Sequence, residues 1–215
     1  MINNEILNNT HILVIGCGGL GGYVIESFVR LGFMNITAVD GDSFDKSNLN
    51  RQLYATSNTI GLNKAIVAKD RAQTINRNIN FIAVSQHLNS INAEELISTC
   101  SIIIDALDNS ETRLLLEDLA AKYNKPIIHG AINSYLGEIA IAMPNDNLLH
   151  SLYKRNNDKT LDNNVTSCSI VANLEVNEAC KLLENKPHLN RNELLLIDLE
   201  TLEFNKIIIK GLDNQ

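Results

Sequence analysis

Gly16, Gly18 and Gly21 are spaced Gly-x-Gly-x-x-Gly, with Gly19 inside the run. Such a run, placed after a strand and at the start of a helix, leaves backbone N–H groups free to meet a phosphate. The helix dipole favours an anion at the same place. The first glycine allows the tight turn, the second the close approach of the phosphate, and the third the packing of helix on strand. Asp40 follows at about the 20-residue distance where a carboxylate takes ribose hydroxyls. These features alone fit NAD or ATP equally, so a dehydrogenase stays open at this point.

The charged residues that follow separate the two ligands. The segment 40–52 carries Asp42, Ser47, Asn48, Arg51 and Gln52, and Lys64 opens a helical pattern. A lysine at a helix start opposes the dipole; it makes sense beside a polyphosphate. The glycine turn already serves the two phosphates of a nicotinamide cofactor. Arg51 and Lys64 are surplus for NAD and useful for a triphosphate. The plainer reading of each is a solvated surface charge.

Asp105-Ala106-Leu107-Asp108-Asn109 closes another apolar run. Asp108 is placed to hold Mg²⁺ with nucleotide oxygens, because a hard cation prefers a carboxylate. It is also placed to cap the helix starting near Glu111, a role that Asn109 fits as well. Arg113 is expected to pair with Glu117 four residues on. Cys168 is a candidate reactive thiol, since a helix N-terminus favours the thiolate; the alternative is buried packing. Cys17, Cys100 and Cys180 read as structural. With no Cys-x-x-Cys pair, no zinc site is expected. His129 reads as a satisfied core residue, and His11, His87, His150 and His188 as incidental.

The elements that position these residues alternate. Residues 11–16, 35–39, 81–84, 101–106 and 126–129 are strand-like. Residues 21–31, 64–76, 93–100 and 111–123 are helical, with Ala65, Ala68, Ala72 and Ile75 forming one stripe. The alternation predicts a parallel sheet with helices on both faces, and the apolar run 102–104 fits burial on both sides. Residues 135–143 alternate and end at Pro144, as an antiparallel or edge strand would. The polar stretch 145–164 reads as a mobile crossing loop, 168–183 as a long helix, and 194–199 with 204–209 as a closing hairpin. The expected fold is therefore α/β: a Rossmann-like, mostly parallel sheet flanked by helices, with antiparallel strands toward the C-terminus. It is read as a single domain over 1–215, with a nucleotide-binding core at 10–144, a crossing loop at about 145–165 and a C-terminal helix and hairpin at 166–211.

Composition narrows the function. The 215 residues can bury a core without staples. Lys and Arg number 18 against 25 Asp and Glu, a net charge of −7 with no basic block, so a nucleic-acid partner is not expected. Apolar runs such as 12–15 and 207–209 are too short to cross a bilayer, and no cationic-then-apolar leader opens the chain. The scattered cysteines fit a reducing cytoplasm.

With these residues in place, the chain resembles the ThiF/MoeB/HesA adenylyltransferases, relatives of the ubiquitin-activating enzymes. The matching stretches are GCGGLGGYVIESFVRLG, VDGDSFDKSNLNRQ, GLNKA, DALDNSETR and EVNEACKLL, in matching order over roughly residues 10–184. SNLNRQ followed by G-x-x-K-A is the most specific of them. The resemblance implies an enzyme that binds Mg-ATP and the C-terminal Gly-Gly tail of a ubiquitin-like sulfur-carrier protein. Such an enzyme joins AMP to the tail's carboxylate and releases pyrophosphate. It implies Gly18 and Gly19 at the phosphates and Asp40 at the ribose. Ser47, Asn48 and Arg51 would line the phosphates, Lys64 the phosphate where attack occurs. Asp108 would order Mg²⁺ and Asn109 line the pocket, with Asp42 and Gln52 in the same motif. It also implies a homodimer. Before Arg30 there is no Lys or Arg to match the N-terminal arginine of many members. Three alternatives stand beside this: the same chemistry on a peptide or a tRNA-borne carboxylate, of which the acidic chain disfavours tRNA; a non-catalytic subunit that binds nucleotide or carrier; and a dehydrogenase.

Overall fold

A computed structural model of the chain describes residues 2–153 and 163–209. Asn4–Asn9 forms α1, capped by Asn3, whose side chain accepts from Glu5 N. Strand β1 (His11–Ile15) runs through the glycine turn into α2 (Gly19–Leu31), and β2 (Asn35–Val39) follows. A 3₁₀ turn at Lys46–Asn48 and helix α3 (Lys64–Ile75) precede β3 (Asn80–Val84). Then come α4 (Ala93–Thr99), β4 (Ile102–Asp105), α5 (Ser110–Lys122) and β5 (Ile127–Asn133). The rest is β6 (Leu136–Ala142), α6 (Leu148–Leu152), α7 (Val165–Leu183), β7 (Glu193–Asp198) and β8 (Glu203–Ile208).

All eight strands share one sheet in the order β3-β2-β1-β4-β5-β6-β7-β8. The pairs from β3 through β5 are parallel, and those from β5 through β8 are antiparallel. This is the expected α/β arrangement, closing hairpin included. The strand order reverses between β1 and β4, the switch point at which open α/β sheets leave a crevice for ligands.

Apolar runs in the central strands send alternate side chains to opposite faces. Ile12, Val14, Ile36 and Ile104 pack on one face with Val24 and Phe28 of α2 and Val171 and Ala172 of α7. Leu13, Ile15 and Ile103 pack on the other with Ile97 of α4, Leu116 of α5 and Leu148 and Leu149 of α6. Each such fully buried side chain contributes about 1.5–3 kcal/mol. No helix among the described residues is long and apolar enough to cross a membrane.

The structure departs from the sequence reading in three places. The stretch 145–164 is not loop from its start: α6 forms within it and buries Leu148 and Leu149, while residues 154–162 of the expected crossing loop lie outside the described residues. Helix α7 begins at Val165, because Asn164 caps it by accepting from Ser167 N; Cys168 therefore lies inside the first turn. The expected Arg113–Glu117 pair does not form. Glu117 instead accepts from Leu149 N at 2.9 Å and His150 N at 2.8 Å, satisfying free N–H groups at the start of α6. Strand β8 is paired along β7, yet each of its six residues is exposed.

Candidate functional site

A cavity of about 930 Å³ lies at the carboxyl ends of β1, β2 and β4, over the switch point. Its near end is built from backbone. Gly16 has φ +98°, and a Cβ there would sit 2.5 Å from the Ala106 carbonyl oxygen. A Cβ on Gly21 would sit 1.8 Å from the Gly16 oxygen. Neither position admits a side chain without moving main chain. Gly18 and Gly19 line the cavity. Gly18 is the N-cap of α2 and makes no side-chain cap, which leaves early N–H groups of the helix open to an anion.

Asp40 ties this turn to the end of β2. Its carboxylate accepts from Cys17 N at 2.7 Å and from Asp42 N at 2.8 Å. Burial pushes its pKa up, opposed by those two N–H groups and by Lys64. Asn63 caps α3 by accepting from Ile66 N at 3.2 Å, and its amide donates to the carbonyls of Asp40 at 2.9 Å and Asp42 at 3.0 Å. Lys64 is thereby fixed at the first position of α3. It is buried rather than solvated, and its Nζ lies 3.0 Å from Asp42 Oδ2. Arg51 lines the cavity half-buried; its Nη1 donates to the Ser47 carbonyl at 3.0 Å and to Asn50 Oδ1 at 2.9 Å. Gln52 also lines it, and its buried Oε1 has no partner among the described residues. Asn109 caps α5, accepting from Thr112 N at 2.9 Å. The capping role thus falls to Asn109, while both Asp108 and Asn109 line the cavity.

Gly18, Gly19, Asp40, Asp42, Arg51, Gln52, Lys64, Asp108 and Asn109 therefore meet in one cavity. Ser47 and Asn48 do not line it. They are held in the 3₁₀ turn, where Asp45 accepts from Ser47 N and Asn48 Oδ1 accepts from Asp45 N; the turn holds Arg51 through the Ser47 carbonyl. Cys168 packs beneath the glycine turn, 3.0 Å from where a Gly19 Cβ would be. Burial pushes its thiol up to about 11, against the pull of Arg51. That favours packing over a reactive thiolate.

The far end of the cavity was not foreseen. Asp105, fully buried at the end of β4, accepts from His129 Nδ1 at 2.7 Å and from Leu107 N at 3.1 Å. Its Oδ2 lies 3.2 Å from Arg113 Nε. The other ring nitrogen of His129 lies 3.3 Å from Glu138 Oε1 and 3.1 Å from the Tyr153 hydroxyl, which itself donates to Glu138 at 2.5 Å. The Arg113 guanidinium sits 4.8 Å from the Tyr153 ring centroid. Burial opposes charge on His129, but the carboxylates of Asp105 and Glu138 outweigh it and raise its pKa. Burial likewise opposes charge on Glu138, yet His129, Tyr153 and Arg113 pull it down to about 2. Glu175 of α7 is fully buried beside Gly130, with neither oxygen hydrogen-bonded among the described residues, and burial raises its pKa well above the ordinary 4.5. His129 is a satisfied core residue as expected, but it also joins two carboxylates. His87, read as incidental, lies on the cavity wall 3.6 Å from Asp42 Oδ1. The available signal was Glu138, a charge inside the alternating run 135–143.

The model of the ThiF family matches residues 3–214. A probable molybdopterin-synthase adenylyltransferase of Porphyra purpurea is 33% identical over 215 residues, 95% of this chain and 56% of that protein. A sulfur carrier protein adenylyltransferase of Thermus thermophilus is 36% identical over 137 residues, 64% of this chain and 51% of that protein. The chain thus spans about half the length of these relatives. Among solved structures, E. coli MccB with ATP superposes with a TM-score of 0.80 at 19% identity, covering 95% of this chain and 65% of that one. That likeness concerns the fold.

Proposed function

The chain belongs to the ThiF family, and on that premise we propose that it is an ATP-dependent adenylyltransferase. Its substrate is the C-terminal Gly-Gly carboxylate of a small ubiquitin-like sulfur-carrier protein. One observation carries the reading: two cations, Arg51 and Lys64, share a cavity with the glycine turn, and that cavity runs on past the space a nucleotide needs. The names of the relatives from Thermus thermophilus and Porphyra purpurea support the same activity.

The roles follow from position. Gly18 and Gly19 cradle phosphates with backbone N–H groups, and Asp40 takes the ribose. The tail's carboxylate oxygen attacks the α-phosphorus of ATP, a new P–O bond forms, and the bond to pyrophosphate breaks. The obstacle is repulsion between two anions. Arg51 and Lys64 offset the charge that builds in the transition state. Mg²⁺ bound with the nucleotide would be held at Asp108 and lower that repulsion further. Gln52 Oε1, buried and without a partner among the described residues, suits a donor on the bound nucleotide. No general base is required, because a C-terminal carboxylate is ionised at neutral pH. Alignment supplies the rest. A single adenylation domain that pairs with a second copy belongs to the same reading.

Exchange of labelled pyrophosphate into ATP, dependent on a carrier ending in Gly-Gly, tests it. The Lys64→Ala variant is expected to exchange about 100- to 1000-fold more slowly while melting near the parent temperature, since Asn63 still caps α3. A parent chain inert with every carrier supplied would remove the proposal.

A further inference from the structure

Arg113 lines the cavity, yet the chemistry above gives it no task. Its guanidinium is held on two sides. Nε lies in ion-pair range of Asp105 without a hydrogen bond, and Nη2 donates to the carbonyls of Leu107 and Gly130. Nη1 makes no hydrogen bond within the described residues. The side chain is only 6% exposed. Nη1 is also absent from the fully buried unpartnered atoms of the described residues, so it opens onto the cavity with its donors unused. A guanidinium only donates, so what meets it is an oxygen, and most favourably an anionic one.

Its place is the junction of the cavity's two ends. Asp108 and Asn109 lie on the nucleotide side, and Glu138 and Ala131 on the other. We propose that Arg113 receives the substrate's tail, its Nη1 donating to an oxygen of the last residue and so presenting the carboxylate to the nucleotide. Asp105, His129, Glu138 and Tyr153 are positioning residues that hold the guanidinium there. The carboxylates of Asp105 and Glu138 are already engaged within this group, Asp105 by His129 and Leu107 N and Glu138 by Tyr153 and His129, so an incoming carboxylate meets no unpartnered anion among them. The inference rests on the adenylation reading and gives that reading a tail-binding residue.

The test measures carrier KM and kcat in pyrophosphate exchange, together with calorimetric binding of a non-hydrolysable ATP analogue. Arg113→Lys keeps the charge but loses the fork that spans Asp105, two carbonyls and the tail at once. It is expected to raise the carrier KM at least about tenfold and leave analogue affinity within about twofold. Tyr153→Phe keeps the ring and removes only the hydroxyl on Glu138; it is expected to raise the carrier KM about threefold with kcat and analogue affinity unmoved. An active parent whose Arg113→Lys variant keeps its carrier KM overturns the assignment. So does one that loses analogue affinity as much as carrier KM. Should Arg113→Lys not fold, an unchanged carrier KM in Tyr153→Phe overturns it instead. A parent that never exchanges sinks the adenylation reading itself, and this inference with it.

Discussion

The two ends of the cavity are held in opposite ways. At the nucleotide end, main chain does the positioning: Asp40 and Asn63 bind backbone groups, and the turn closes only because Gly16 and Gly21 lack side chains. At the far end, side chains hold one another. Asp105, His129, Glu138, Tyr153 and Arg113 come from different elements and meet by charge and hydrogen bonding. A backbone cradle keeps its shape when a neighbouring side chain changes. A balanced group of buried charges does not, because removing one member strands the others. In the proposed reaction, the rigid end carries out the chemistry, and the end that one substitution can retune does the recognition.

The largest expected effect separates the ends directly. His129→Leu leaves Asp105 and Glu138 without their shared partner and is expected to lower stability by about 3–5 kcal/mol, read from urea unfolding. At a temperature where the variant is still folded, its affinity for an ATP analogue should stay near the parent's. If that affinity collapses as well, the two ends are one unit and the contrast is wrong.

A smaller, pH-dependent effect comes from Glu175. Burial raises its pKa in the folded chain above the ordinary 4.5. Above that pH the folded state therefore binds more protons than the unfolded one, and stability falls as pH rises. Glu175→Gln is neutral at every pH and lacks that slope. Its advantage over the parent should widen as pH rises above 4.5, by up to about 1.4 kcal/mol per pH unit. Urea midpoints that stay parallel across that range would mean Glu175 is ionised in the fold, and the charge balance at the far end would need redrawing.

The smallest effect concerns the floor of the glycine turn. With its thiol pushed up to about 11, Cys168 holds about 100-fold less thiolate than an ordinary cysteine near pH 8. Site-resolved mass spectrometry should find it alkylated by iodoacetamide correspondingly slowly in the native chain. Rapid native labelling would restore it as a reactive thiol and add a chemical role to the backbone-built end.

The contrast also explains what the sequence disclosed. Gly16, Gly21 and Asp40 were legible because each answers to its own turn or strand end, within a short stretch of chain. The parallel strands were legible because runs such as 102–104 are apolar on both faces. Asn109 as cap and Asp108 in the cavity followed from the same local logic. The far end was hidden, since Asp105, His129 and Glu138 become neighbours only through the pairing of β4, β5 and β6. The expected Arg113–Glu117 pair failed for that reason: helix periodicity brings the two residues together, but the buried charge of Asp105 and the free N–H groups of α6 offer each a stronger partner. Ser47 and Asn48 carry the motif but do not line the cavity; Asn48 Oδ1 and the Ser47 carbonyl serve the turn that holds Arg51.

Strand β8 has a last consequence. It hides none of its six side chains, so the fold of the chain on its own gains little from them beyond backbone pairing with β7. Yet Glu203 and Asn205, which alternate onto one face, stand in the cavity wall. Selection for a stable core alone would have let those two residues drift freely. In a mutational library screened separately for folding and for turnover, they are where the two screens should disagree.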